Sequence, residues 1–168
     1  MRHYVGRVCS LCFFLSLCGV SCLSLNGIAA AASINLSRDV VINQPKNVVW
    51  DRMGHFNAME RWHPAVSSTQ MAGADVPTRL LILKDGRIVR EELIDYRENN
   101  AYTYKILDGP FPVKNYISTL SVEDEGTRTR VIWTARFEPA DGVSKEKAEK
   151  TMVGVYESGL KNLMRMLR

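Results

Sequence analysis

The side chain with the clearest capacity for chemistry is Glu91, an acid on an otherwise apolar face of a predicted strand. Because alternate side chains of a strand share a face, Val89, Glu91 and Leu93 point to one side of the segment Arg87–Tyr96. A carboxylate on a face that lines a cavity is partly desolvated, and its pKa rises unless a cation or donor pairs with it. Such a group can orient a ligand or act as an acid or base. The alternatives are a surface acid at a half-exposed edge and a structural ion pair, for example with Arg79.

Hydroxyl groups cluster on one predicted face of the next two strands. Tyr104 shares a face with Ile106, and Tyr116 shares a face of the following strand with Ser118. Hydroxyls that project into a largely apolar cavity orient a small ligand, and this is how such pockets become specific. The alternative is ordinary packing of aromatic side chains with satisfied hydroxyls. Both interpretations stay open at this point.

The remaining candidates surround the same predicted cavity. The motif Trp62-His63-Pro64 follows the second predicted helix, at the cavity mouth. Trp133 lies on the core face of the last strand, while Met152 and Val155 on the final helix would form the ceiling, where Gly159 leaves room. Packing alone also explains that helical stripe. A lone histidine is a weak signal for a metal site, so we expect a hydrogen-bonded structural role for the histidine of the motif.

Several catalytic classes lack their sequence signatures. The chain has no Gly-x-Ser-x-Gly motif, no phosphate-binding loop, no dinucleotide fingerprint and no Cys/His nucleophile pair. No histidine and carboxylate residues occur at metal-ligand spacing. The sequence therefore predicts no cofactor and no metal. An enzyme that uses Glu91 with a tyrosine as acid and base stays an alternative, without a second group that the sequence pairs with it.

The elements that must position these residues follow in a characteristic order. Ser33–Asn43 is predicted as a strand, and Pro45–Met53 and Phe56–Trp62 as two short helices, the first started by a proline and the second stopped by one. Six further strands follow with short turns, which predicts an antiparallel meander. They are predicted at Val66–Met71, Arg79–Leu83, Arg87–Tyr96, Tyr102–Leu107, Val113–Val122 and Thr129–Phe137.

A long helix closes the chain. Ser144 is predicted to cap it, and the helix is expected to run to Leu167. Apolar side chains at spacings of three and four define one face, which only a sheet is large enough to cover. That face is predicted to consist of Ala148, Met152, Val155, Gly159, Leu163 and Met166.

Residues 1–32 have the features of a secretory signal in the expected order. Arg2 and Arg7 give a positive start, an apolar stretch runs roughly from Val8 to Leu25, and the segment ends in Ala29–Ala32. Small side chains before the cleavage site are what signal peptidase requires. We expect cleavage after the fourth alanine. The alternatives are an uncleaved membrane anchor and a lipoprotein lipidated at Cys22.

Cleavage there leaves one domain over residues 33–168, in the periplasm or secreted, without a membrane span. All four cysteines lie in the removed segment, so the mature chain has no disulfide framework and no thiol nucleophile. Removing Arg2 and Arg7 lowers the formal net charge from +4 to +2, and acids and bases interleave along the rest of the chain. This near balance gives no indication of nucleic-acid binding.

The order of elements and a set of local motifs resemble the START-like (SRPBCC) superfamily, which includes polyketide cyclase/dehydrase-like and lipid-transport domains. The resemblance covers essentially all of residues 33–168 and implies an α+β helix-grip fold. That fold has a curved antiparallel sheet of six or seven strands, two short helices after the first strand, and a long C-terminal helix packed across the sheet over a cavity. The motifs are Trp50, Phe56, Trp62-His63-Pro64, Asp85-Gly86 before Glu91-x-Leu93, Tyr102-x-Tyr104, Phe111-Pro112-Val113 with Tyr116, and Trp133 with Phe137.

With its signal peptide, the chain is most similar to the MxaD-like branch, periplasmic proteins named after a component of bacterial methanol-oxidation clusters. This similarity implies an accessory role between a methanol dehydrogenase and its cytochrome. In relatives, the positions that match Tyr104, Ile106, Val113, Tyr116 and Ser118 line the cavity, and a glutamate that matches Glu91 reaches the ligand through water.

Three functions are therefore expected as alternatives. The first is a non-catalytic module that binds a small, largely apolar molecule or docks on a periplasmic partner. The second is a cyclase- or dehydratase-like enzyme that uses the same pocket. The third is a purely protein-binding factor with a collapsed cavity.

Overall fold

The computed structural model describes residues 33–168, and the predicted export signal lies outside the described residues. Seven strands form one antiparallel sheet in the order β1-β7-β6-β5-β4-β3-β2. The predicted α+β class and the START-like sheet with its C-terminal helix are confirmed. The elements are β1 (Ile34–Ile42), α1 (Lys46–Met53), β2 (Val66–Ala72), β3 (Thr78–Leu83), β4 (Ile88–Arg97), β5 (Ala101–Asp108), β6 (Val113–Asp124), β7 (Thr129–Pro139) and α2 (Lys145–Met166).

The turn between β3 and β4 contains the Asp85-Gly86 motif, in a loop of three residues between Leu83 and Arg87. Gly86 has a φ of +84°, a left-handed conformation that glycine adopts without steric cost. The Asp85 carboxylate accepts a 3.1 Å hydrogen bond from the Arg87 backbone N–H, and the Leu83 N–H donates to the Arg87 carbonyl at 2.8 Å. The turn therefore fixes the register that places the alternate residues of β4 on the inner face.

The second predicted short helix, Phe56–Trp62, is reduced to a single 3-10 turn over Met59–Arg61. The backbone here makes i to i−3 hydrogen bonds, from Ala58 to the His55 carbonyl and from Arg61 to the Ala58 carbonyl. Such tight turns occur in short connecting segments that cannot build a full α-helix. The turn brings the chain back to the sheet just before β2.

Helix α2 begins and packs much as predicted. The Ser144 hydroxyl accepts a 3.2 Å hydrogen bond from the Lys147 N–H, which caps the first turn. The buried face differs from the predicted one at Met166, which is 41% exposed, because Leu167 takes the next inward position. Tyr156 is fully buried between Met152 and the end of the helix. A tyrosine with a polar hydroxyl group therefore occupies the centre of the buried face of α2.

The sheet opens between β5 and β6 at one end. Their pairing ends at Lys105 opposite Ile117, although β5 stays paired with β4 out to Asp108 and β6 stays paired with β7 back to Val113. A register shift in β6 between Lys114 and Ile117 turns the strand away. Residues 109–112, between the two strands, therefore lie outside the strand pairing and fold over the inner face of the sheet.

The core lies on the inner face of the sheet, beneath α2. Trp50 and Trp133 are both almost fully buried. No helix in residues 33–168 combines the length and apolar content that a membrane span needs. Within the same residues, no three His, Cys, Asp or Glu side chains converge as metal ligands would.

Candidate functional site

A cavity of about 380 Å³ lies between the inner face of the sheet and α2. This volume falls in the lower part of the range of small-molecule sites, roughly 300–1,000 Å³. Most of its lining is aliphatic or aromatic. Eight of the predicted site residues contribute to it, namely His63, Glu91, Tyr104, Ile106, Tyr116, Trp133, Met152 and Val155.

The other four predicted site residues do not line this cavity. Trp62 is buried beside it, with its ring edge-on to Trp133 at a centroid distance of 5.4 Å. Ser118 lies beneath the lining, and Val113 lines a separate recess at the ends of β5 and β6. Gly159 leaves room for the His63 and Trp133 side chains rather than for a ligand. The alternation of side chains along the strands does not distinguish the residues that line the cavity from the residues packed behind them.

Glu91 lines the cavity and is also held in an ion pair, so two of the predicted alternatives apply together. Arg79 on β3 lies directly opposite Glu91 on β4, and Arg79 Nε donates to Glu91 Oε2 at 2.6 Å. Oε1 accepts no hydrogen bond from residues 33–168. Burial raises the pKa of the Glu91 carboxyl, and the guanidinium opposes this rise by stabilising the carboxylate. The pair is net neutral, with the carboxylate on the cavity side.

Arg79 is enclosed by aromatic rings, which explains how a fully buried guanidinium is tolerated. Its guanidinium carbon lies 4.2 Å from the centroid of the Phe56 ring and 5.1 Å from that of Tyr104. An Nη atom donates to the Phe56 carbonyl in addition to the bond to Glu91. Ring faces and a carboxylate together replace the water that the cation loses on burial. The guanidinium therefore serves to hold Glu91 in place.

A network of hydroxyl groups forms the wall of the cavity below α2. The Tyr156 hydroxyl lies 2.5 Å from the Tyr116 hydroxyl and 3.0 Å from Ser118 Oγ. Trp133 Nε1 donates to Ser118 Oγ at 3.0 Å and to the Tyr104 hydroxyl at 3.1 Å. Burial raises the pKa of the Tyr104, Tyr116 and Tyr156 hydroxyls well above the usual value, so all three remain protonated. The network satisfies the Trp133 N–H and keeps the rings in fixed positions.

His63 is fixed as a neutral imidazole between two backbone groups. Its Nδ1 accepts a 3.2 Å hydrogen bond from the Ala65 N–H, and its Nε2 lies 3.1 Å from the Val155 carbonyl, to which it donates. Burial lowers the pKa of this imidazole to about 4, although the bond to Val155 favours the protonated form. Since Nδ1 already accepts a bond, a second proton would break it. The expected structural role of this histidine fits this geometry.

The contact between His63 and α2 depends on the absence of a side chain at Gly159. A methyl group there would lie 2.6 Å from His63 Cδ2 and 3.1 Å from Trp133 Cζ3. Both distances are shorter than the ordinary contact between carbon atoms. Gly159 therefore lets the imidazole and the indole pack directly against the helix backbone.

The mouth of the cavity is lined by charged residues of the β3–β4 turn. Asp85 and Arg87 form an ion pair at 2.6 Å, and Asp85 also accepts from the Arg87 backbone. Lys84 lines the same mouth and forms no ion pair with any of residues 33–168. Thr151 of α2 and Phe111 of the β5–β6 connection contribute further lining. The mouth thus combines one compensated pair with one uncompensated cation.

Sequence reasoning missed several parts of this site. Tyr156 was not predicted, because the helical stripe was centred on its neighbour Val155. The aliphatic floor from Leu81, Leu83 and Val89 could have been found from the alternation of β3 and β4 across their turn. The role of Lys84 carries no sequence signal, because the lysine lies in an ordinary polar turn.

Comparisons with known proteins agree with the fold. The chain shares 32% identity with the protein XoxI from Bacillus cereus, whose structure superposes with a TM-score of 0.74 over 79% of this chain and 94% of that one. A START superfamily protein from Mycobacterium smegmatis has 16% identity and a TM-score of 0.67, covering 79% and 96% of the two chains. The Zhui aromatase/cyclase from a Streptomyces species has 14% identity and a TM-score of 0.63, covering 80% and 93%. These last two show the fold alone. A search among curated proteins found no match.

The family model described as "Polyketide cyclase / dehydrase and lipid transport" matches residues 33–168, all of the chain that the structure describes. The match to this family and the similarity to XoxI confirm the resemblance expected from the motifs. The chain therefore belongs to the polyketide cyclase/dehydrase and lipid transport family of the START-like superfamily.

Proposed function

We propose that this domain binds a small, largely apolar molecule in the cavity under α2 without transforming it. The observation that carries the proposal is the cavity itself, about 380 Å³ in volume and lined mainly by aliphatic and aromatic side chains. A filled core beneath the helix would instead have favoured a purely protein-binding factor. Enclosed apolar space with few polar groups is typical of small-molecule sites.

The titratable groups around the cavity favour binding over catalysis. His63 uses both ring nitrogens in bonds to the backbone, and the hydroxyls of Tyr116 and Tyr156 bond to each other. Glu91 is held by Arg79, whose guanidinium opposes the rise in the pKa of this carboxyl that burial causes. An acid/base enzyme needs a second group free to exchange a proton with the substrate. His63, Glu91 and Tyr116 are instead each bonded to other groups of the protein.

We place this binding outside the cytoplasm, on the evidence of the sequence. A positive start, an apolar stretch and small residues before the expected cleavage site all favour export of residues 33–168. Detection of the mature protein in the periplasmic or secreted fraction, with its N-terminus at Ser33, tests this part. Retention of the full chain in the membrane would contradict it.

The binding proposal is tested with a neutral apolar fluorophore, N-phenyl-1-naphthylamine. Its fluorescence should rise on mixing with the purified domain and saturate at one molecule per chain. Val155→Phe places a ring in the cavity ceiling and should weaken this binding at least tenfold. Gly154→Phe on the same helix is the matched control, because Gly154 is exposed and a Cβ atom added there meets no atom within 4 Å. Equal binding by both variants would show that the fluorophore binds elsewhere.

Native mass spectrometry of protein purified from its own host identifies what the cavity carries. We expect a low-mass apolar molecule that is lost from Val155→Phe and retained by Gly154→Phe. If a substrate is turned over and Glu91→Gln abolishes turnover with the fold intact, the enzyme alternative replaces our proposal.

An accessory role toward a periplasmic partner is the second candidate, and the similarity to the protein named XoxI favours it. In this case the gene should lie beside a quinone-dependent dehydrogenase and a c-type cytochrome. Direct binding to that dehydrogenase, measured by surface plasmon resonance, tests the role. A partner that binds Val155→Phe and the native domain equally would show that docking does not use the cavity.

A further inference from the structure

Among residues 33–168, each charged side chain that lines the cavity has an ion-pair partner, with the exception of one lysine at the mouth. Glu91 is neutralised by Arg79, and Asp85 by Arg87, which holds both of its carboxylate oxygens. Burial keeps His63 neutral. Lys84 is the one charged lining residue without an ion-pair partner among residues 33–168. The cavity therefore has a single positive charge in excess, and this charge lies at the entrance.

The inner part of the cavity has the opposite electrostatic character. Glu91 lines the cavity, whereas Arg79 lies behind it and contributes nothing to the lining. The dipole of this ion pair therefore presents its negative end to a bound molecule. In a site of low dielectric constant such a field acts strongly on charged groups. An anionic group is disfavoured at depth and favoured at the mouth.

We propose that the cavity selects a small apolar monoanion, such as an apolar carboxylic acid, and binds it with the carboxylate at Lys84 and the apolar body inside. This inference rests on the proposed function, since it names the chemical class of the molecule bound at that site. One lysine without a cluster of backbone N–H donors suits a single negative charge. The aliphatic floor beneath the mouth, formed by Leu81, Leu83 and Val89, takes the apolar body.

Three probes with the same chain and different head groups test the inference, namely decanoate, 1-decanol and decylammonium. Their affinities are measured by isothermal titration calorimetry at neutral pH and low ionic strength. Decanoate should bind the native domain roughly fivefold more tightly than decanol, which is the effect of one partly exposed ion pair. Decylammonium should bind less tightly than decanoate, because its head group at the mouth would lie beside Lys84. The preference for decanoate should decrease as salt screens the pair.

Variants of the lysine assign the preference to one side chain. Lys84→Met should lower the affinity for decanoate to that for decanol and leave decanol unchanged. Lys84→Glu should reverse the order in favour of decylammonium. Lys161→Met is the matched control, because Lys161 is an exposed lysine of α2 outside the cavity lining, and it should keep the native preference.

The outcomes separate this inference from the function on which it rests. If decanol and the neutral fluorophore bind and Val155→Phe prevents this, but decanoate has no advantage, the charge selection is wrong and the apolar site stands. A decanoate preference that persists in Lys84→Met also overturns the selection. If none of the probes binds the native domain, the proposed function itself fails.

Discussion

Replacing Gly159 with alanine tests whether the contact between His63 and α2 holds the cavity together. Alanine in a helix interior normally stabilises a protein by about 1 kcal/mol relative to glycine. At this position the new methyl group would lie 2.6 Å from His63 Cδ2 and 3.0 Å from His63 Nε2. The imidazole must move, and its bonds to Ala65 and Val155 must lengthen or break. The two effects therefore have opposite signs.

The size of the net effect follows from the contacts. Overpacking of a well-filled region costs about 1–3 kcal/mol. Two weakened hydrogen bonds cost about 1 kcal/mol each. Set against the gain of about 1 kcal/mol in helix propensity, Gly159→Ala should lower the free energy of unfolding by roughly 2–4 kcal/mol. Gly154→Ala on the same helix has open space around the new methyl group and should raise it by about 1 kcal/mol.

Urea denaturation followed by circular dichroism measures both variants against the native domain. The midpoints should shift in opposite directions, with the same dependence on urea concentration. In a His63→Ala background the penalty of Gly159→Ala should largely disappear, because the displaced ring is absent. If both alanine variants stabilise the protein equally, the close approach of His63 to the helix is refuted.

Three further predictions concern the buried polar groups. The pKa of His63 lies at about 4 in the folded state, below the ordinary value of 6.5, so the unfolded state binds more protons between these values. The contribution of His63 to the free energy of unfolding should therefore be fully present above pH 6.5 and decrease by about 3 kcal/mol as the pH falls to 4. Chemical denaturation across this pH range measures the decrease, and His63→Asn should remove it. Arg79→Met or Glu91→Leu alone should each cost about 3–5 kcal/mol in urea denaturation, and the double variant much less, because only the single changes leave a buried charge unpaired. Tyr156→Phe should cost about 1–3 kcal/mol in the same assay, since it leaves the Tyr116 hydroxyl and Ser118 without their shared partner.

Each of these predictions has an outcome that contradicts it. A His63→Asn variant that keeps the full pH dependence would assign the effect to other groups. Additive costs in the double variant would show that Arg79 and Glu91 do not interact. An unchanged stability of Tyr156→Phe would mean that water replaces the missing hydroxyl.

The order of elements was predictable because hydrophobic periodicity and turn residues act locally. The boundaries of β3 and β6, the Asp85-Gly86 turn and the Ser144 cap all follow from neighbours within a few positions. The face assignment of Glu91 also followed from simple alternation along β4. These features need no knowledge of what packs against them.

Other features depend on contacts between residues distant in the chain, which no local pattern encodes. From the sequence, the ion pair between Glu91 and Arg79 is only one of several possible roles for the glutamate. The register of the strands must be known before the two side chains can be placed opposite each other. The sequence predicts free space at Gly159, because it does not show that His63 fills this space. The second short helix became a 3-10 turn for a similar reason, because its length is set by the path between α1 and β2.

The opening between β5 and β6 has a consequence for how this domain can diversify. The connection 109–112 contributes Pro110 and Phe111 to the cavity wall, yet it lies outside both strands, since β5 ends at Asp108 and β6 begins at Val113. Changes in its length or composition leave the hydrogen-bond ladder of the sheet intact. Natural variation can therefore reshape the ligand-facing wall at little cost in stability. The same connection is the place to begin when the pocket is engineered for a new molecule.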